Sequence, residues 1–209
     1  MKNNEIPGII INRFAEYLCC LAIHEEIGDS VFIQSKDLAS VCKIKASLVR
    51  KDLSILGELG TKGKGYNVRE LKSCLIKILN LDTPSGIFLI GLDFLGRYIL
   101  KQKLHSGFLK ITAAFDKPER INEKELNGVP VYSISQMLEI AENLKPLVGI
   151  ICVDLHESQH AADLMIKAGI RGIITYVEYP LELPENILLK RISLSCELSS
   201  LSYNLKLMK

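Results

Sequence analysis

Four apolar residues, Ile87-Phe88-Leu89-Ile90, run straight into Gly91-Leu92-Asp93-Phe94-Leu95-Gly96, and a helical segment follows from Arg97 to about Leu104. A strand, a glycine-punctuated turn and a helix in that order make the phosphate cradle of a dinucleotide-binding fold. The first glycine turns sharply, the last lets helix and strand pack closely, and the diphosphate sits at the helix N-terminus. Gly91 to Gly96 is therefore the candidate cofactor-binding segment. Asp116 lies 20 residues beyond Gly96, at the end of the apolar run Ile111 to Phe115. A carboxylate there accepts hydrogen bonds from an adenosine ribose and disfavours a 2′-phosphate, so the spacing predicts NAD over NADP. The middle glycine position, however, holds Asp93. At an effective dielectric of about 20, two like charges about 4 Å apart repel by roughly 4 kcal/mol, or about a thousandfold in affinity. A carboxylate at a helix N-terminus is itself stabilised by free amides and the dipole, which predicts that Asp93 fills the anion site. The alternative is a Rossmann-shaped domain kept for packing and dimerisation, with no nucleotide.

A second constellation lies earlier in the chain. Between Lys45 and Leu56, Leu48, Val49, Leu53 and Leu56 recur at helical spacing and should face a core. Ser47, Arg50, Lys51 and Ser54 then share the opposite face at i, i+3, i+4 and i+7. Two cations and two hydroxyls on one exposed stripe suit a helix entering a major groove, where they reach guanine edges and phosphates. Downstream, Thr61-Lys62-Gly63-Lys64-Gly65-Tyr66 predicts a basic hairpin, or wing, with Lys62 and Lys64 on the DNA backbone. From Lys36 to Lys72 nine basic residues stand against four acidic ones, leaving +5. From Thr83 onward 14 basic residues balance 14 acidic ones. A solvated basic face beside a basic loop is the bland alternative for either element alone; contiguous, they point to double-stranded DNA.

The elements that must hold these groups divide the chain. Helical periodicity over Ile9 to Glu25, a short helix from Ser35 and another over Leu71 to Leu79 surround the basic stripe. The short helix, a turn and the Lys45 to Leu56 helix make a helix-turn-helix. Asp82-Thr83-Pro84-Ser85-Gly86 breaks all periodicity. Beyond it the apolar runs Ile87 to Ile90, Ile111 to Phe115, Val148 to Val153 and Ile170 to Ile174 alternate with helical segments, the pattern of a parallel sheet buried on both faces. The expected architecture is α/β. A winged-helix (helix-turn-helix) domain over 1–82 precedes a Rossmann-like parallel-sheet domain over 83–192 and a C-terminal helix over 193–209. That helix places Leu194, Leu198, Leu201, Leu205 and Met208 on one stripe, which in isolation reads as packing on its own domain.

The remaining groups set limits. The chain has 209 residues, 48% apolar and 24% charged, a composition too hydrophobic for disorder. No apolar run reaches the length of a bilayer span, and Met1 to Asn12 lacks a secretory core, so a cytoplasmic protein without membrane contact is expected. The six cysteines form no Cys-x-x-Cys pair and suggest no zinc site; the adjacent Cys19 and Cys20 read as helix packing. Of four histidines (His24, His105, His156, His160), His156 and His160 are four apart, but with no carboxylate placed as in a metalloprotease helix they read as surface or capping groups. A dehydrogenase would need a catalytic base and a substrate domain that the second half has no room for, so no enzyme is expected.

Taken together, these residues resemble the Rex family of redox-sensing transcriptional repressors. The resemblance begins at Ile6-Pro7, Arg13 and Tyr17. It is most specific from Val49-Arg50-Lys51-Asp52-Leu53-Ser54 through Gly57-Glu58-Leu59-Gly60 to Gly65-Tyr66-Asn67-Val68. It continues through Ala113 to Asp116, Gly128 to Val131, Ala168 to Ile173 and Pro184-Glu185. The resemblance implies a homodimer on a palindromic operator, release by NADH, Arg13 as a further DNA contact, and a last helix that reaches across to a second subunit. Departures cluster in the ligand half. They are Asp93, Gln102, Asp154, Ser193 and Thr175-Tyr176-Val177-Glu178, where the family carries Gly, Tyr, Pro, Asp and an Asn-Phe-Ala-Pro stretch. They imply a repressor whose sensing of NADH/NAD+ is altered, or a paralogue insensitive to it.

Overall fold

The computed structural model describes residues 6–28, 30–83, 85–102 and 109–207. Leu104, His105 and Met208, named above, lie outside them. Near residue 84 the chain separates into two compact units, each with its own core.

In the first unit, α1 (Gly8–Ile27) leads to β1 (Phe32–Ile33), α2 (Ser35–Val41), α3 (Ala46–Ser54), β2 (Gly60–Thr61), β3 (Gly65–Asn67) and α4 (Val68–Ile78). Phe14, Tyr17 and Leu21 of α1, Leu38 of α2, Val49 and Leu53 of α3 and Leu71 and Leu75 of α4 are almost wholly buried against one another. Val49 and Leu53 thus face the core as their spacing requires, while Leu48 and Leu56 are half-buried at its margin. The strands pair antiparallel in the order β1-β3-β2, so β2 and β3 form the hairpin expected from the glycines. α4 starts where it does because the Asn67 side chain accepts hydrogen bonds from the Arg69 and Glu70 amides, satisfying two free N–H groups of its first turn.

The second unit runs β4 (Ser85–Ile90), α5 (Phe94–Lys101), β5 (Leu109–Asp116), β6 (Glu125–Leu126), β7 (Val129–Ser133), α6 (Met137–Leu144), β8 (Val148–Ile151), α7 (Leu155–Lys167), β9 (Gly172–Thr175), β10 (Leu188–Arg191) and α8 (Leu194–Leu207). The sheet order is β10-β9-β8-β4-β5-β7-β6, parallel throughout except for the β6 edge. Ile87 and Leu89 pack on one face, Phe88 and Ile90 on the other, so the continuous apolar run of β4 is a strand covered on both sides. The chain goes from β4 to β5 on one flank and reaches β8 on the other. Strand order therefore reverses at the carboxyl end of β4, the place where open α/β sheets bind ligands.

Two elements depart from expectation. α5 begins at Phe94 rather than Arg97, because the turn Gly91-Leu92-Asp93 after β4 is only three residues long. In α8 no described residue is buried: Leu194, Leu198, Leu201 and Leu205 are all more than half exposed. Packing of this helix on its own domain is therefore not what the single chain shows.

Candidate functional site

α3 is held from behind. Asp52 lies on its buried side, with a side chain only 2% exposed. One carboxylate oxygen accepts from Arg13 Nε at 2.6 Å and from the Tyr17 hydroxyl at 2.6 Å, the other from Arg13 Nη2 at 2.7 Å. Burial pushes the Asp52 carboxyl up, but the bonds from Arg13 and Tyr17 outweigh it and hold the group below the usual carboxylate range. Burial and the bond to Asp52 push the Tyr17 hydroxyl up, and the same carboxylate keeps Arg13 firmly charged. Arg13, offered by the resemblance as a DNA contact, thus spends its guanidinium within the domain. Asp52 and Tyr17 were not singled out as an anchor, although a carboxylate in the stripe Val49, Asp52, Leu53, Leu56 is the signal that could have found it.

In front, Ser47, Arg50, Lys51 and Ser54 are exposed together. Ser54 Oγ donates back to the Lys51 carbonyl at 2.7 Å, whereas Arg50 Nη1 donates to Ser35 Oγ at 2.9 Å and so is steadied by the first residue of α2. Arg50, Lys62 and Tyr66 line one open groove of about 390 Å³ with Ser35 and Thr61. Burial pushes the Tyr66 hydroxyl up, with Arg50 opposing. Lys64 leans over the Phe32 ring, its Nζ 5.8 Å from the centroid. The helix stripe thus meets the wing through Arg50, which shares this groove with Lys62.

In the second unit the glycine turn has the expected form. Gly91 sits at φ 99°, and a Cβ there would meet the Cys152 carbonyl oxygen at 2.4 Å; one on Gly96 would meet the Gly91 carbonyl oxygen at 1.8 Å. Leu92 is buried, Leu95 half-buried, and Phe94 is exposed at the start of α5. Asp116 is buried, and its two oxygens accept from the Leu92 and Lys117 amides, both at 2.7 Å.

Asp93 behaves differently from expectation. It caps α5 in position but its carboxylate accepts no hydrogen bond from the helix amides; it lies 3.7 Å from Arg120 Nη1 instead. The amides at the start of α5 are therefore not capped by this carboxylate, which lies on the side of Arg120. With its side chain 61% exposed and a guanidinium alongside, the repulsion of a phosphate is also screened. Arg120 further approaches Asp116 at 3.8 Å and Glu157 at 3.2 Å, and Lys117 Nζ donates to Glu157 at 2.7 Å. The lysine bond, and then the arginine, hold the Glu157 carboxyl low against burial, while Glu157, Asp116, Asp93 and Asp154 raise Arg120. Next to this network a pocket of about 260 Å³ opens at the ends of β4, β5 and β8, lined by Ile90, Asp116, Ile134 and Val153. His156 and His160 are exposed and line its rim, a role their spacing alone did not show. Among the described residues no group of three metal-ligating side chains converges, and no helix is long and apolar enough to cross a membrane. At the departing stretch, Thr175 is buried and its hydroxyl accepts from the Val177 amide at 3.1 Å, while Glu178 accepts from Ser193 Oγ at 2.6 Å.

A winged-helix DNA-binding unit followed by a Rossmann-like unit with a glycine turn at its switch point defines the class of two-module, ligand-responsive DNA-binding proteins. Residues 5–54 match the family model described as "Putative DNA-binding protein N-terminus", and residues 82–179 match the CoA binding domain. The redox-sensing transcriptional repressor Rex of Maridesulfovibrio salexigens is 34% identical over 212 residues, covering 100% of both chains. Rex of Lactobacillus acidophilus is 32% identical, covering 97% of this chain and 96% of its own. Among solved structures, RSP, a Rex-family repressor, in complex with beta-NAD+ and operator DNA is 30% identical with a TM-score of 0.78, covering 97% of this chain and 94% of that one. The same repressor in complex with beta-NADH is 29% identical with a TM-score of 0.77, covering 97% and 95%. The chain belongs to the Rex family of redox-sensing transcriptional repressors.

Proposed function

We propose that this chain is a DNA-binding transcriptional repressor of the Rex type. It reads a palindromic operator as a homodimer and responds to the NADH/NAD+ balance. The observation that carries the reading is the exposed stripe of Ser47, Arg50, Lys51 and Ser54 on a helix anchored from behind by Asp52, with Arg50 sharing one groove with Lys62 of the wing. Arg50 and Lys51 face base edges, and Lys62 and Lys64 face phosphates. Arg13 acts through Asp52, as the residue that positions α3. The domain division expected from the sequence, 1–82, 83–192 and 193–209, is retained. The bare apolar stripe of α8 is then the surface that a second copy covers, supplying the two-fold symmetry that a palindrome matches.

For the cofactor, Gly91 and Gly96 let the turn pack tightly between β4 and α5, as a dinucleotide turn requires, and the adjoining pocket, lined in part by Asp116, suits an adenine ring. Both Asp116 oxygens already accept from backbone amides, so this carboxylate shapes the turn and a ribose contact would have to share them. NADH supplies a redox-dependent ligand there, with no chemistry performed on it. Asp93 and the carboxylates around Arg120 weaken this binding without closing the site. A paralogue blind to NADH is the second reading, favoured by Asp93, Asp154 and the stretch Thr175 to Glu178. The naming of the relatives as repressors supports a regulator over a dehydrogenase. Gel-shift titration on a palindromic Rex-type site tests the reading: retarded complexes that NADH dissolves are expected, and complexes indifferent to millimolar NADH would leave only the second reading.

A further inference from the structure

The cysteines are left unused by this function, and two of them meet. Cys20 and Cys42, 22 residues apart, place their Sγ atoms 2.7 Å from each other, closer than unbonded sulfurs normally stand. Both backbones are fixed. Cys20 lies inside the long α1, and Cys42 ends α2, its amide donating to the Leu38 carbonyl at 3.0 Å. Lys43 follows in the left-handed region and the Ile44 amide returns to the Ala39 carbonyl at 3.0 Å, which makes the turn ahead of α3 rigid. Arg13, Tyr17 and Cys20 occupy i, i+4 and i+7 of α1, one stripe facing the helix-turn-helix. Through Arg13 and Tyr17 that stripe holds Asp52, towards the end of α3; through Cys20 it touches the turn before α3 begins.

We propose that Cys20 and Cys42 form a reversible intramolecular disulfide that ties the turn of the helix-turn-helix to α1. A low-molecular-weight disulfide is the oxidant. The Cys20 thiolate attacks one sulfur of the reagent and expels the other half as a thiolate. That thiolate takes the Cys42 proton. The Cys42 sulfur then attacks Cys20 Sγ and expels the second half, so two protein thiols are oxidised and two small thiols released. The sulfurs need only close from 2.7 Å to the ~2.05 Å of a disulfide. The reading helix therefore keeps its place, and the cross-link stabilises the domain by constraining its unfolded chain.

The full-length reduced protein is incubated with glutathione disulfide, quenched by alkylation and mapped by mass spectrometry. Wild type and Cys19→Ser are expected to lose two of their free thiols and to yield a peptide joining Cys20 to Cys42. Cys20→Ser and Cys42→Ser yield no such peptide, and Cys42→Ser instead retains glutathione on Cys20. The oxidised protein melts at a higher temperature, reversibly on reduction, and still binds operator DNA. A Cys19–Cys20 bond, a bond between two chains, or no bond at all overturns the proposal. Loss of operator binding on oxidation overturns the retained geometry. The wild-type map decides the question even if a variant misfolds, and it is independent of whether NADH is sensed.

Discussion

Arg13 and Asp52 are 39 residues apart in sequence, and their two-pronged pair with the Tyr17 hydroxyl fixes α3 to α1. Asp52→Asn leaves Arg13 facing a neutral amide and is expected to cost about 3 kcal/mol, as removal of one partner from a buried pair does; denaturant unfolding measures it. Tyr17→Phe removes one bond of three and costs about 1 kcal/mol. Because the folded Asp52 carboxyl lies below its ordinary value, its stabilisation is present above the unfolded value of about 4. It is lost as pH falls through the lower, folded one. Wild type should therefore lose stability in acid over a range where Asp52→Asn is flatter, and parallel curves would contradict this. At the DNA face, Lys62→Ala should weaken binding to all sequences and reduce the salt slope by about one unit, whereas Lys51→Ala should cost about 1–3 kcal/mol and relax base preference. An unchanged slope for Lys62→Ala would remove it from the phosphate contacts. The exposed residues of this face were legible because helical spacing alone sorts them from Val49 and Leu53. Asp52 was not, because a formal charge reads as solvent-facing until its partners from another helix are known.

At the scale of elements, the buried strands β4, β5, β8 and β9 were visible as short apolar runs. β7 and β10 were not, since Pro130 interrupts the first and the second presents mostly exposed residues at the sheet edge. The glycine turn was legible down to the reasons for Gly91 and Gly96, but the orientation of Asp93 depended on Arg120, 27 residues on, which no local pattern marks. α8 carries its apolar stripe without burying any of it. Leu198→Glu with Leu201→Glu should therefore leave circular dichroism and the melting of each unit unchanged while converting a dimer to a monomer in light scattering. Loss of folding instead would show that the helix packs within its own chain.

For the whole molecule, positive charge is concentrated between Lys36 and Lys72, and the cleft beside the glycine turn of the second unit carries Asp93, Asp116, Asp154 and Glu157 around Lys117 and Arg120. Since Asp93 is exposed and partly neutralised, Asp93→Gly should tighten NADH binding by about tenfold rather than a thousandfold; calorimetric titration measures this, and an unchanged affinity would mean that the carboxylate does not face the diphosphate. The central claim is that the anchored cationic face of α3 and the wing reads operator DNA. Fluorescence anisotropy of the full-length protein on a palindromic Rex-type duplex and on a scrambled duplex, at the same salt, tests it most directly. Binding that is at least a hundredfold tighter to the palindrome is expected. Equal affinity for the two duplexes, or no binding to either at low ionic strength, would contradict it.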